Sequence, residues 1–162
     1  MAQESKNSQV VALQLCVGHR QPMKRVATVT ALQDFGLEGD RHACAGSRRQ
    51  VLLIEEETLH ELALSYGEVK ENITTRGIAL MNLTPGQRLR LGDSVEIEIT
   101  QVCDPCARME EIRSGLQSRL QGRRGMLGRV IVGGTLQVGD RVEVCSGTAD
   151  QRPRENASSG LP

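Results

Sequence analysis

Aromatic side chains are almost missing from this sequence. Phe35 and Tyr66 are its only two, and there is no Trp. Proteins that hold single-stranded nucleic acid stack its bases on aromatic rings, so that role has no platform here. Net charge is missing too, since 20 Lys and Arg balance 20 Asp and Glu. The basic footprint of general nucleic-acid binding is therefore absent. No apolar run approaches the roughly 18 residues of a membrane span. Met1 to Gln9 is polar and holds Glu4. It lacks the apolar stretch of a secretory signal and the Arg richness of a transit peptide. The five cysteines, Cys16, Cys44, Cys103, Cys106 and Cys145, are an odd number. Without a secretory signal they read as free thiols in a reducing compartment, and the expected location is cytoplasmic.

What is present is enough chain, 162 residues, for one domain with a core of Val, Leu, Ile, Ala and Met. Residues 1–9 read as a disordered leader, 10–146 as the folded domain, and 147–162, rich in Gly, Pro and Ser, as a disordered tail. Within the domain, Val10 to Val17, Val26 to Leu32 and Gln50 to Ile54 read as strands. From Glu55 to Tyr66 the period changes. Leu59, Leu62, Ala63 and Tyr66 make one stripe of a helix, with Glu55, Glu56 and Glu57 at its positive end and Gly67 as its stop. Val95, Ile97 and Ile99 alternate with Glu96, Glu98 and Thr100, a strand with one wet face. Asp104 and Pro105 suit the start of a second helix carrying Met109, Ile112, Leu116 and Leu120, ended by Gly122 and Gly125. Val130 to Val132 and Arg141 to Val144 supply the last strands. Two segments look alike, Leu89 to Ile97 and Leu136 to Val144, each reading strand, Gly-Asp turn, strand. Many short strands with two or three helices predict a mainly β fold, a barrel or sandwich.

Three segments carry chemistry. In Gly36-Leu-Glu-Gly-Asp-Arg-His-Ala43 the glycines let the backbone turn sharply beside a ligand. Asp40, Arg41 and His42 then set an acceptor, a fixed cation and a titratable ring side by side. Arg48, Arg49 and Gln50 follow, and Arg grips phosphate with a planar fork. The same loop also reads as a solvated turn. The second segment, Glu71-Asn-Ile-Thr-Thr-Arg-Gly77, offers neutral hydrogen bonds from Asn72 and Thr74 and a charge from Arg76; on spacing alone a plain loop or short strand accounts for it as well. The third is Cys103-Asp-Pro-Cys106. At the start of a helix, Cys106 would be favoured as a thiolate, a nucleophile and a soft metal ligand. A pair of inert, half-buried cysteines is the other reading.

Together these segments resemble the molybdenum cofactor sulfurase C-terminal (MOSC) domain family. The markers occur in order: GLEGDRHA at 36–43, RQV at 49–51, the helix, ENITTRG at 71–77, LGD at 91–93, PC at 105–106 and VGD at 138–140. The resemblance covers about Val10 to Val144. It implies a MOSC-type β-barrel with two or three peripheral helices and a role with the molybdenum cofactor (molybdopterin), a phosphorylated pterin dithiolene. It also implies that Cys106 is the catalytic cysteine, carrying sulfur as a persulfide or ligating molybdenum. The residues themselves suit such a cofactor: Arg41, Arg49 and Arg76 its phosphate, Gln50, Asn72 and Thr74 the pterin edge, Asp40 a further contact, and His42 a second catalytic group that donates a proton or bonds an oxo ligand. Family members are sulfur carriers, cofactor-binding modules or molybdenum-dependent reductases of N-hydroxylated compounds. The sequence shows neither the pyridoxal-phosphate-dependent, aminotransferase-like domain nor the membrane anchor of larger relatives, so the expected partners are a sulfur donor or an external reductase.

Three other functions compete. A zinc-binding structural module would use His42, Cys44, Cys103 and Cys106 as four tetrahedral ligands. A dithiol redox switch would use Cys103 and Cys106 alone. A noncatalytic interaction domain would use none of them.

Overall fold

Alternation of Val, Ile and Leu with charged residues forces half the strand faces inward, and the computed structural model, which describes residues 7–145, is built on that pattern. The strands are β1 (Gln9–Leu15), β2 (Lys24–Val26), β3 (Thr28–Leu32), β4 (Gly36–Leu37), β5 (Val51–Glu55), β6 (Ile73–Arg76), β7 (Arg88–Leu91), β8 (Val95–Val102), β9 (Met126–Val132), β10 (Gly134–Gln137) and β11 (Val142–Val144). Three short helices interrupt them: α1 (Glu56–Glu61), α2 (Arg108–Ile112) and α3 (Leu116–Arg119). Eight strands form one sheet in the order β11-β7-β8-β9-β5-β6-β1-β2, and β10-β3-β4 form a second. Only β5 and β6 pair in parallel among the named strands. The fold is mainly β, as the residues predict. Among the described residues no closed barrel is found; an isolated bridge between Gln9 and Arg141 joins β1 to the residue before β11.

β8 shows how the sequence sets the layers. Val95, Ile97 and Ile99 are fully buried. The intervening Glu96 and Glu98 face out and pair across strands with Arg90 at 3.1 Å and Arg129 at 3.3 Å. The inner faces of both sheets meet in one apolar core that includes Leu13, Leu37, Leu53, Ile73, Leu89, Ile97 and Leu136. A second cluster, around Ile54, Leu59, Leu62, Val69, Met109, Leu116 and Leu120, fastens all three helices to the outside of β5. Each such side chain contributes about 1.5–3 kcal/mol by leaving water.

Both helix expectations are shortened. α1 stops at Glu61 because Ala63 turns left-handed (φ 56°). The Arg113 guanidinium holds that turn by donating to the carbonyls of Leu62 and Ala63. The second helix breaks in two, since Arg113 is extended and Gly115 takes φ 87°. The Glu110 carboxylate fills the break, accepting from the backbone N–H groups of Gly115 and Gln117, both at 2.8 Å. Asp104 caps neither piece; the residue flanking α2 is Ala107.

The two look-alike segments diverge. The first is the hairpin β7–β8. The second crosses between sheets, β10 pairing with β3 and β11 with β7. Residues 1–6 of the expected leader and the expected tail, 147–162, lie outside the described residues. The end of that leader is structured: Ser8 is buried and donates to the Gly77 carbonyl at 2.8 Å, and Gln9 opens β1. Among the described residues no helix is long and apolar enough to cross a membrane.

Candidate functional site

The end of β1, the glycine-rich loop after β3, the turn before β6 and the segment after β8 converge on one cavity of about 650 Å³. Asp40 draws the first three together. Its carboxylate is buried and accepts from the Cys16 N–H at 2.7 Å, the His42 N–H at 3.0 Å and the Asn72 side-chain amide at 3.1 Å. Gly36, at φ 131°, makes the close approach behind this loop, where a Cβ would stand 3.2 Å from Ala43 and 3.4 Å from the Gln50 carbonyl. Arg41 and His42 are thereby turned out onto the cavity wall.

Asn72 ties the opposite wall. Its amide also donates to the Gln14 carbonyl at 3.1 Å, and its side-chain oxygen accepts from the Leu52 N–H at 3.0 Å. It lines the cavity, yet both of its N–H groups are committed to protein partners. Just before it, Lys70 sits at φ 69°, a strained conformation for a side chain with a Cβ. Its ammonium reaches across the cavity rim to the Gln21 carbonyl at 3.1 Å.

Of the residues singled out in the sequence, Cys103, Cys106, His42, Arg41, Arg49 and Asn72 line this cavity. Asp40 is a strut behind it. Gln50, Thr74 and Arg76 are placed elsewhere. Gln50 is wholly buried, donating to Asp34 and the Cys44 carbonyl and accepting from the Val130 N–H at 2.9 Å. Thr74 is buried in a network with Gln14 and Glu71. Arg76 lies on the helix side, its guanidinium 2.7 Å from Glu56, which also accepts from the Tyr66 hydroxyl. That pairing holds the Glu56 carboxyl below the usual carboxylate range, the Arg76 hydrogen bond being the main cause.

Cys106 is exposed and precedes α2; its carbonyl accepts from the Met109 N–H at 2.9 Å. It is not inside the helix, and α2 has only five residues, so the dipole argument made from sequence does not apply. Cys103 is buried against Leu52 and Leu127. Burial pushes its thiol pKa up. Cys16 also lines the cavity. Cys44 is exposed and outside it. Among the described residues no three His, Cys, Asp or Glu side chains gather to hold a metal, so the four-ligand zinc site is not formed.

A family model for the MOSC domain matches residues 33–143. The chain belongs to the MOSC domain family. Solved structures similar to it include the YuaD protein from Bacillus subtilis, 18% identical with a TM-score of 0.72 over 85% of this chain and 95% of that one. YiiM from Geobacillus stearothermophilus is 15% identical, TM-score 0.68, over 86% and 75%. YiiM from Escherichia coli is 22% identical, TM-score 0.64, over 86% and 71%. At these identities the likeness is one of fold. No curated protein matches the chain significantly.

The MOSC cavity contains charge that the neutral overall balance conceals. Arg20, Arg41, Arg49, Lys70, Arg108 and Arg124 line it, against two carboxylates, Glu68 and Glu111. Glu111 is itself paired with Arg20 at 2.8 Å and Arg108 at 3.5 Å. Sequence reasoning missed Arg124, which is 6% exposed, and Glu71, which is wholly buried. Burial lowers the Arg124 pKa from the ordinary guanidinium value and raises that of Glu71. The run Gln121-Gly-Arg-Arg-Gly125 gave no signal of this, because nothing in it distinguishes a buried arginine from a solvated one. Lys70 had a signal: it directly precedes the Glu71-Asn72 motif.

Proposed function

We propose that this MOSC domain binds the molybdenum cofactor in the 650 Å³ cavity and handles sulfur or molybdenum through Cys106. The observation that carries the reading is the meeting of an exposed cysteine with a cationic wall drawn from segments far apart in the chain. A cavity of this size suits a cofactor-sized ligand. Its donor set also fits: a soft thiol for molybdenum or sulfane sulfur, and planar guanidinium groups for a phosphate. Arg41, Arg49 and Lys70 would hold the phosphate, while Ser47 and Gln21, which share the lining, would meet the pterin edge. Asp40 and Asn72 hold the two sides of the cavity in register. When bound, the cofactor supplies two-electron chemistry at its metal.

His42 would be the group that moves a proton. Its side chain is 61% exposed, with Nδ1 3.9 Å from the Asp40 carboxylate. Cys106 at the open side can receive sulfur from a donor as a persulfide. Reduction of an N-hydroxylated compound is the alternative use of the same cavity and would draw electrons from a reductase.

Expression in a cofactor-sufficient host, followed by molybdenum and pterin analysis of the purified protein, tests the reading. Wild-type protein should retain both, and Cys106→Ala should lose the metal or the persulfide while Cys16→Ala keeps them. Folded wild-type protein free of molybdenum, pterin and persulfide would end it.

A further inference from the structure

The cofactor reading leaves Arg124 without a task. This side chain is 6% exposed, and its Nε and Nη1 have no hydrogen-bond partner. Leaving two donors of a buried guanidinium unpartnered is costly, and a ligand in the cavity would satisfy them. It lines the cavity together with Cys103 and Cys106. The backbone secures this neighbourhood: the Cys103 N–H donates to the Gly125 carbonyl at 2.9 Å, setting the cysteine segment beside residue 124. Glu71, the carboxylate that opposes it, is buried, and one of its own oxygens is unpartnered.

The geometry points to Arg124 as an oxyanion site at the apolar floor of the cavity, which takes the sulfonate end of thiosulfate or an organic thiosulfonate and presents its outer sulfur to Cys106. The assignment rests on the sulfur-carrier form of the proposed function. A guanidinium fork matches a pair of sulfonate oxygens, and Leu52, Leu127 and Cys103 make an apolar part of the same cavity lining. The step balances. The Cys106 thiolate attacks the outer sulfur of thiosulfate, the sulfur–sulfur bond of thiosulfate breaks, and sulfite leaves with the electron pair. Cys106 is left as a persulfide, with the total charge unchanged and no external oxidant or reductant required.

The test incubates the full chain with thiosulfate and reads sulfite release and the mass gain of one sulfur on Cys106. A small aminothiol persulfide, which carries no oxyanion, is the parallel donor. Wild-type protein should load from both. Arg124→Met should raise the thiosulfate KM about tenfold or more, with loading from the aminothiol persulfide unchanged. If that variant does not fold, Arg124→Lys keeps a charge without the fork and should still raise KM severalfold. Loading of wild type from the persulfide but not from thiosulfate overturns the oxyanion site and leaves the carrier reading intact. Loading from neither overturns both. A variant that loads from thiosulfate with wild-type KM but loses pterin makes Arg124 a phosphate clamp, and also overturns the assignment.

Discussion

The Asp40 carboxylate accepts a 3.1 Å hydrogen bond from the Asn72 side chain, joining two motifs that stand 32 residues apart. Neither residue is surplus to the other. Asp40 takes two further N–H groups, and Asn72 holds the backbone of Gln14 and Leu52. The two motifs thus meet in a buried polar knot, and the cavity is the space on its outer side.

Removing that knot should cost fold stability before it costs ligand contacts. Asp40→Ala strands three N–H donors, all from cavity-forming segments, and should destabilise by about 3 kcal/mol or more. Asp40→Asn should be milder but still harmful, because its amide sets a donor against N–H groups. Denaturant melts of the two variants check this. Wild-type stability in Asp40→Ala would refute the strut.

Gln50 should separate stability from binding. Its side chain spans Asp34, the Cys44 carbonyl and the Val130 N–H and does not reach the cavity. Gln50→Ala is expected to lower stability by about 1–3 kcal/mol, while pterin retention per folded molecule stays at the wild-type level. Loss of pterin from well-folded protein would return Gln50 to the site.

Arg76 is expected to behave the same way for a different reason. Its partner is Glu56, whose carboxyl is held below its usual range. A lowered carboxyl pKa adds stability above the unfolded value of 4.5 and loses it as pH falls through the folded one. Arg76→Ala should therefore lower Tm near neutral pH, with the difference shrinking in acid. Thermal melts across that range, alongside pterin analysis, read both effects.

The strands and the cavity loops were legible because they follow local rules. β8 announces itself through Val95, Ile97 and Ile99 against Glu96 and Glu98, and Gly36 marks the turn that presents Arg41 and His42. What stayed hidden depends on contacts between distant segments. α1 ends where Arg113, 50 residues on, caps Ala63. Arg76 follows Asn72 and Thr74 in one motif, but its long side chain turns to Glu56 on the helix side. Arg124 and Glu71 became notable only through burial, which their neighbours in sequence do not encode.

Glu71 should be the reason for an inverted pH dependence. Burial raises its carboxyl pKa, outweighing the Gly67 N–H that it accepts. The folded state then binds the proton more tightly than the unfolded chain, so this group's contribution falls as pH rises from about the ordinary 4.5 through the folded value. Glu71→Gln keeps an acceptor for Gly67 and Thr74 and removes the titration. Its Tm should equal or exceed wild type at neutral pH, with a flatter slope on the acid side. The same variant leaves the Arg124 charge unopposed, so anion affinity at the cavity floor should hold or increase. A variant that is clearly less stable than wild type at neutral pH would mean that Glu71 works as a paired carboxylate, and the floor of the cavity would then be neutral.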